Sequence, residues 1–502
     1  MLPMTFDELL ALVSSENGPP VRIDSRLVRP GDIFVAVPGT VCDGHDFIDQ
    51  AIARGAEYIV GRSAPDRCRI DPTRMVLVED SAEAAALLAM AAVGNPAARL
   101  SSLAVTGTNG KTTVAFLVRS VFQQAGLKCG LIGTVIYDTC SGEIHEATLT
   151  TPDCLAIAEM TARMVQCGVK YMVVEASSHA LSQSRLAGLS FTAAAFTNLA
   201  GDHLDYHRTQ RNYLAAKARL FKLLRPDAVA VLNKQSPHSR IIARQTDAAI
   251  LWYAVDAPAE LNAQVKSMDT AGTTFLLAYA GQTLEVKTPL LGRYNVSNCL
   301  AAAGLCLAAG LDLKTIAQGL SAVQVIPGRL EKVDWGGDFS VLIDYAHTDD
   351  ALKNVLQTLQ PLSKGRLIVV FGCGGDRDRT KRPRMARVAE QLADIVVVTS
   401  DNPRTEPPET IITEILAGFE NPPLSRAPDC DADPRNGQTT ALKTILVEPD
   451  RKRAIQLAIK TAREGDILLI AGKGHETYQI IGEQKFHFSD REVVEEFLIS
   501  SG

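Results

Sequence analysis

The pattern of apolar and polar positions divides the chain into three stretches in which strands and helices alternate. In the first, positions 6–13 and 47–54 have helical spacing, and short apolar runs at 21–26, 32–37, 58–60 and 75–78 read as strands. The alanine-rich run 81–93 reads as a helix stopped by Gly94-Asn95-Pro96. From about 101, strand runs at 102–106, 170–176, 191–197 and 228–233 alternate with helical patterns, which predicts a mostly parallel sheet covered by helices. Between 249 and 290 short alternating runs broken by Gly and Asp predict an antiparallel patch, and an alanine-rich helix follows through 309. Ile326-Pro327-Gly328-Arg329 reads as a linker. Beyond it, apolar runs at 340–344, 367–371, 395–399 and 466–471 predict a doubly wound α/β unit that binds its ligand at the C-terminal ends of its strands. The stretch 421–440, rich in Pro, Asp and Arg, has the weakest order signal. The expected domains are therefore 1–98, 99–326 and 327–502.

Composition excludes classes rather than choosing one. With 46% hydrophobic and 22% charged residues over 502 positions, the chain is an ordinary globular protein. A net charge of −6 gives no general attraction to nucleic acid or an anionic membrane, so any anion site must be local. No apolar run approaches the ~18–20 residues of a bilayer span. The start of the chain lacks a basic, export-type leader, so the expectation is a cytoplasmic protein with neither membrane nor nucleic-acid partners. Ten cysteines are scattered without C-x-x-C or zinc-type spacing and read as small buried hydrophobes; Cys373, inside a glycine loop, is the exception to watch.

Candidate chemistry begins at 103–113. An apolar run ends in Thr106-Gly107-Thr108-Asn109-Gly110-Lys111-Thr112 and passes into a helical pattern. Strand, glycine loop and helix form a phosphate cradle: backbone N–H groups face the anion, the lysine reaches a phosphate oxygen, and the threonine hydroxyl holds Mg²⁺. The usual loop would need glycine at 105, where this chain has Val105. Glu175 closes the strand leading to Ala176-Ser177-Ser178-His179 and is placed to share a Mg²⁺ with Thr112. The next strand ends in Asp202-His203-Leu204-Asp205-Tyr206-His207, which either ligates metal or caps a helix. In the helix after it, Tyr213, Leu214, Lys217, Leu220, Phe221 and Leu224 share one face. Lys217 is the only charge in that stripe. It must snorkel, pair with an acid, or lose its charge, and a neutral buried amine can take up CO₂ as a carbamate. In the last stretch, Arg329 and Asp344 suit a phosphate and a ribose hydroxyl. Three charged loops follow three strands: Gly372-Cys373-Gly374-Gly375-Asp376-Arg377, Asp401-Asn402-Pro403-Arg404 and Gly472-Lys473-Gly474-His475-Glu476. Converging, they would suit a zwitterion, with arginines on its carboxylate and Glu476 on its ammonium.

Together these motifs, with Gly292 to Asn298, Pro327-Gly328-Arg329 and Asp344-Tyr345-Ala346-His347, resemble the Mur ligases over nearly the whole chain. The resemblance implies a small N-terminal α/β domain, a central P-loop ATPase-like domain and a C-terminal Rossmann-like domain. It implies ATP-dependent amide formation, with Asp401-Asn402-Pro403-Arg404 in the form associated with meso-diaminopimelate as the amino acid added to UDP-N-acetylmuramoyl-L-alanyl-D-glutamate. An L-lysine-adding homologue and a P-loop ATPase of unrelated role are the alternatives. The implied roles are ATP binding for Thr106, Gly107, Thr108, Asn109, Gly110, Lys111, Thr112, Asn298, Arg329 and Asp344. One Mg²⁺ would lie on Thr112 and Glu175, and a second on His203 and carbamylated Lys217; Lys111, Glu175, His203 and Lys217 form the catalytic set. Ile23, Ser25, Thr40, Val41, Cys42, Thr150, Thr151, Ser177, Gln183 and Arg185 would bind the UDP-sugar dipeptide. Arg377, Asp401, Asn402, Pro403, Arg404, Gly472 and Glu476 would bind diaminopimelate. The resemblance also implies a monomer, with His347 or His203 taking the proton of the attacking amine. The chain departs from the family pattern at Asp349, where proline is common, and at Leu149, where asparagine is.

Overall fold

The computed structural model describes residues 4–39, 42–63, 71–420 and 443–500. Among the described residues three large sheets follow one another along the chain, with a two-stranded antiparallel hairpin, Tyr478–Ile481 and Gln484–His487, after the third. The first has four parallel strands in chain order: Val21–Arg22, Ile33–Val35, Tyr58–Gly61 and Met75–Leu77. The expected strand at 21–26 stops early because Asp24 accepts from the Arg26 N–H and turns 25–27 into a short 3₁₀ helix.

The second sheet has eleven strands, centred on Ser101–Thr106 between Phe191–Phe196 and Tyr171–Glu175, all parallel. Alternate residues of these strands go to opposite faces, as the pleat requires. Leu103, Val105, Val173, Ala193 and Ala195 pack beneath the helices Lys111–Gln124 and Arg293–Ala308. Ala104, Met172, Val174, Ala194 and Phe196 face a core shared with Leu88 and Met90 of the first unit. That shared core, crossed by the Ser81–Ala92 and Cys154–Gln166 helices, fixes the N-terminal sheet to the central one. One edge is extended by an antiparallel meander, Cys129–Ile132, Ile136–Asp138 and Ile144–Glu146, that periodicity did not reveal.

Two expectations are corrected here. The antiparallel patch begins at Leu261–Asp269, not 249, since Ala249–Val255 pairs parallel with both neighbours. Leu224 is not on the helical stripe: the helix ends at Ala218, a 3₁₀ turn spans Arg219–Lys222, and Leu224–Asn233 is a strand. Pro226 explains the break, because it disfavours helical geometry at the residue before it and has no N–H to continue a helix.

The third sheet runs Glu331–Val333, Ser340–Asp344, Ile467–Ala471, Leu367–Phe371, Ile395–Val398, Thr444–Val447, parallel except at its first pair. Chain order reverses at Ile467–Ala471, so the loops after Asp344, Phe371, Val398 and Ala471 gather at one end. Beneath that end lies a buried pair: Arg451 donates to both oxygens of Asp490 at 2.7 and 2.8 Å, with neither side chain exposed. The same guanidinium donates to the carbonyls of Ser400 (3.3 Å) and Ala471 (3.0 Å), the residues just before Asp401 and Gly472. The weakly ordered stretch expected at 421–440 lies outside the described residues, as do Cys68 and Cys430.

Removing one member of this pair strands a buried charge. Arg451→Met should destabilise the protein by ~3–5 kcal/mol in urea unfolding, and adding Asp490→Leu should recover much of the loss; an unchanged transition in the single variant would contradict the pair's role.

Candidate active site

The 101–106 strand delivers its loop to the first turn of the Lys111–Gln124 helix, so the helix N-terminus faces open space. Gly110 holds φ +90°, and a Cβ there would collide with Asn298 Oδ1. Glycine is required at that point by conformation and by the close approach of the neighbouring helix. Val105, by contrast, is a fully buried strand residue. The strand runs on through Thr106, so the loop starts at Gly107, two residues later than the longer glycine pattern assumes.

The loop borders a cavity of about 350 Å³ between the second and third sheets. Its walls include Thr108 to Thr113, Asn298, Arg329, Asp344, Asp202, His203 and His347. Lys111 Nζ donates to the carbonyls of Gly107 (3.1 Å) and Thr108 (3.0 Å). Desolvation lowers its pKa, against the pull of Glu175 and Asp202. Asp344 accepts from the N–H groups of Leu330 (2.7 Å) and Ala346 (2.8 Å); burial raises its pKa in spite of Arg329. Asn298 is held by Asn295 at 3.0 Å. The third sheet reaches across through Asn109 Nδ2, which donates to Asp350 Oδ2 at 2.9 Å. Asp350 is in the first turn of the Asp349–Leu359 helix, so the departure at 349 leaves a normal helix start, capped by Thr348.

Glu175 is fully buried, and its carboxylate accepts from the Thr112 hydroxyl (3.0 Å), the Thr134 N–H (2.9 Å) and the Thr134 hydroxyl (2.8 Å). Neighbouring ligands of an octahedral Mg²⁺ at ~2.1 Å stand ~3.0 Å apart. The Thr112 and Glu175 oxygens match that spacing and are the hard donors the ion prefers. Arg329 Nη2 also donates to the Thr112 hydroxyl at 3.0 Å.

Lys217 is 1% exposed. Its Nζ donates to the Gly107 carbonyl at 2.7 Å and sits 4.3 Å from the centre of the Tyr213 ring. It does not snorkel, and among the described residues it meets no carboxylate in a salt bridge; a loop carbonyl is its polar partner. Burial, then Lys111, pushes its pKa far below the usual lysine range. His203 is in the left-handed region at φ 53°, its Nε2 3.4 Å from Asp202, and burial lowers its pKa. His179 and Tyr213 pack on its ring, and Tyr206 and His207 pack on His179 in turn. Among the described residues no three His, Cys, Asp or Glu side chains gather as a metal set, so Asp202, His203 and Asp205 are not a metal centre by themselves.

The central-domain residues expected on the UDP-sugar dipeptide are brought together. Arg185 donates to Gln183 Oε1 and to the Thr151 carbonyl (2.8 Å), Thr151 lies 3.2 Å from Ser177, and the Thr150 and Thr134 hydroxyls pair at 3.1 Å. Ile23, Ser25 and Cys42 lie in the N-terminal unit and share no hydrogen bond with that group; Ser25 instead donates to Gln50. Thr40 and Val41 lie outside the described residues.

The three charged loops do converge. Asn402 Nδ2 donates to Glu476 Oε2 at 2.9 Å, and Arg404 reaches the Gly375 carbonyl at 2.9 Å beside Arg377. Gly472 backs onto Asp401, whose carboxyl burial would raise but Lys473 and Arg451 hold low. Burial and Asp401 raise the Glu476 carboxyl. Pro403 is buried between the polar members of its loop. Sequence reasoning missed Lys473, which is fully buried and donates to Asn402 Oδ1 at 3.0 Å with Glu476 at 3.4 Å; its place between two glycines of the third loop was the available signal. It also missed Thr134, for which there was none. His347 donates through Nδ1 to the Tyr345 carbonyl at 2.8 Å, which leaves Nε2 with the lone pair, and burial lowers its pKa. Cys373 is buried, and burial pushes its thiol up to about 12, so it is inert packing.

Comparison with known proteins gives a consistent picture. Family models match three segments: the "Mur ligase family, catalytic domain" at residues 20–102, the "Mur ligase middle domain" at 105–306 and the "Mur ligase, glutamate ligase domain" at 328–474. The chain is 44% identical over 480 residues to the UDP-N-acetylmuramoyl-L-alanyl-D-glutamate–2,6-diaminopimelate ligase of Geobacillus thermodenitrificans, covering 94% of this chain and 93% of that one. It is 43% identical over 506 residues to the enzyme of the same name from Gloeobacter violaceus, covering 99% of both. A solved structure of a ligase of that name superposes with a TM-score of 0.68 at 30% identity, covering 100% and 99% of the two chains.

The conformation at Gly110 is the point most open to test. Gly110→Ala imposes left-handed strain of ~1–2 kcal/mol together with the collision at Asn298. Nucleotide affinity should fall roughly tenfold or more in calorimetric titration with ADP, and the melting temperature should drop by roughly a few degrees; unchanged affinity would contradict the loop's role.

Proposed function

From the premise that the chain belongs to the Mur ligase family, we infer the reaction that this cavity serves. The protein is an ATP-dependent ligase that joins meso-diaminopimelate to the D-glutamyl side-chain carboxylate of UDP-N-acetylmuramoyl-L-alanyl-D-glutamate, in the synthesis of peptidoglycan precursors. The observation that carries this reading is that the nucleotide loop and the loop after Asp344 line one cavity, while three charged, zwitterion-suited loops converge at the ends of strands in that same third sheet. A switch or motor ATPase has no use for the second half of that arrangement.

ATP phosphates lie along Thr106 to Thr112 at the helix N-terminus, and Asn298, Arg329 and Asp344 contact the rest of the nucleotide. Thr112 and Glu175 would hold a Mg²⁺, and His203 with a carbamylated Lys217 would hold a second. When bound, the ions supply positive charge where the transferred phosphoryl group concentrates negative charge. Lys111 releases its loop carbonyls for the phosphate, and positioning does most of the rest. The γ-phosphoryl group passes to the D-glutamyl carboxylate, giving an acyl phosphate and ADP. The UDP-sugar dipeptide rests on Thr150, Thr151, Ser177, Gln183 and Arg185, with Ile23, Ser25, Thr40, Val41 and Cys42 on its nucleotide end. Arg377, Arg404, Asp401, Asn402, Pro403, Gly472 and Glu476 present diaminopimelate. Its free amine attacks the acyl carbon, His347 Nε2 accepts the proton the nitrogen loses, and the C–O bond to phosphate breaks with its electrons. Domain boundaries at 98/99 and 326/327 let the third unit close on the other two and exclude water, which would hydrolyse the acyl phosphate. The working protein is a cytoplasmic monomer; among the described residues no helix is long and apolar enough to cross a membrane.

Phosphate release should require the UDP-sugar dipeptide and meso-diaminopimelate together, with L-lysine a poor replacement. Phosphate release without either substrate refutes the ligase reading, and preference for lysine refutes the specificity. Lys217→Ala should abolish turnover, and a short-chain carboxylic acid should restore part of it; full activity in the variant refutes the carbamate.

A further inference from the structure

His475 stands at the seam between the nucleotide cavity and the amino-acid loops. It follows Lys473 and Gly474 in the third charged loop and directly precedes Glu476. Its ring packs on Tyr345, centroids 5.2 Å apart, and Arg329 and Thr134 are its other neighbours. All three of those residues line the cavity. Its Nδ1 is buried and has no hydrogen-bond partner. A native interior seldom leaves such an atom unmet unless something else comes to meet it.

The free atom can be given a protonation state. A hydrogen bond to the Thr134 backbone favours the charged ring, so the ring is the donor and the Thr134 carbonyl the acceptor. Since Nδ1 has no partner, Nε2 is that donor and Nδ1 keeps its lone pair. Burial and Arg329 bring the pKa down to about 4, so the ring is neutral near pH 7 and does not repel a cationic substrate. Thr134 is also the residue whose N–H and hydroxyl hold Glu175. His475 is thus anchored to the backbone at the phosphoryl end of the site, while its chain neighbour Glu476 is tied to Asn402 at the amino-acid end.

We propose that His475 Nδ1 accepts a hydrogen bond from the attacking amino group and turns that nitrogen's lone pair toward the acyl carbon. The proposal rests on the ligase reading above. His475 binds and orients the amine, and the proton goes to His347.

Two substitutions separate the two ring nitrogens. His475→Asn keeps an acceptor where Nδ1 stands, and His475→Gln keeps the reach of Nε2 toward Thr134 but leaves Nδ1 empty. Hydroxylamine, which needs no amino-acid pocket, traps the acyl phosphate and reports its formation separately. In His475→Gln, kcat/KM for diaminopimelate should fall about 100-fold while hydroxamate formation stays within about twofold of wild type; His475→Asn should lose less than about tenfold. His475→Phe, which keeps the packing on Tyr345, should behave as Gln does. Equal losses in Asn and Gln, wild-type ligation in Gln or Phe, or parallel loss of trapping and ligation would overturn the proposal. Absence of hydroxamate with the wild-type enzyme would overturn the ligase reading instead.

Discussion

A carboxylate with no solvent around it must have its oxygens met, and at Glu175 this requirement organises the centre of the molecule. Its strand lies between two parallel neighbours, with Glu175 opposite Val105 in register, so the side chain emerges beside the nucleotide loop. One oxygen needs the Thr112 hydroxyl at the start of the nucleotide helix, and both need Thr134. The turn at 133–134 must therefore come to Glu175, and Gly133 leaves no room for a Cβ between them. Thr134 in turn reaches Thr150 and His475, tying the dipeptide wall and the third sheet to the same carboxylate. A shift of Glu175 would move the Thr112 hydroxyl, the Thr134–Thr150 contact and the loop that carries His475 together.

The third sheet uses a second buried charge in a similar way. Arg451 is neutralised by Asp490 below and spends its remaining donors on the two carbonyls that precede Asp401 and Gly472. Two loops from non-adjacent strands thus share one anchor. Above that anchor the backbone is strained: Asp376 and Arg404 both occupy the left-handed region, as do Leu330 and His203 at the opposite wall. Such conformations persist only where surrounding contacts over-determine them, and here all four border the cleft or its loops.

Much of this was legible because chemistry in an α/β fold collects where strands end, and apolar runs mark strand ends well. The nucleotide loop, Glu175, Asp344 and the three charged loops were all found this way. The odd lysine at 217 was legible for a different reason: a lone charge on an apolar helical face is a physical conflict that shows without coordinates. What stayed hidden depends on contacts distant in sequence. Thr134 is an ordinary residue in a turn, and its importance comes from Glu175, 41 positions away. Arg451 and Asp490 look like surface charges on amphipathic helices until the sheet closes over them. The 129–146 meander has strands of only three or four residues, too short to carry a period. At Leu224 the helical stripe continued in sequence, but Pro226 decided the geometry.

The charge balance of the cleft explains why so much of it is arranged against its own stability. Lys111 and Lys217 are both desolvated; Arg329 lowers the pKa of Lys111 further and Lys111 that of Lys217, while Asp202 opposes both shifts and Glu175 that of Lys111. Lys111 and Lys217 donate to loop carbonyls, partners that solvate an ammonium without neutralising it. A site tuned only for stability would replace such cations with apolar side chains. What offsets them is the substrate: a triphosphate brings several negative charges into a low-dielectric space already lined with donors. Binding is then strongest where charge is densest, on the phosphoryl group in transfer. Stability given up at two lysines becomes discrimination in favour of the one polyanion the reaction consumes.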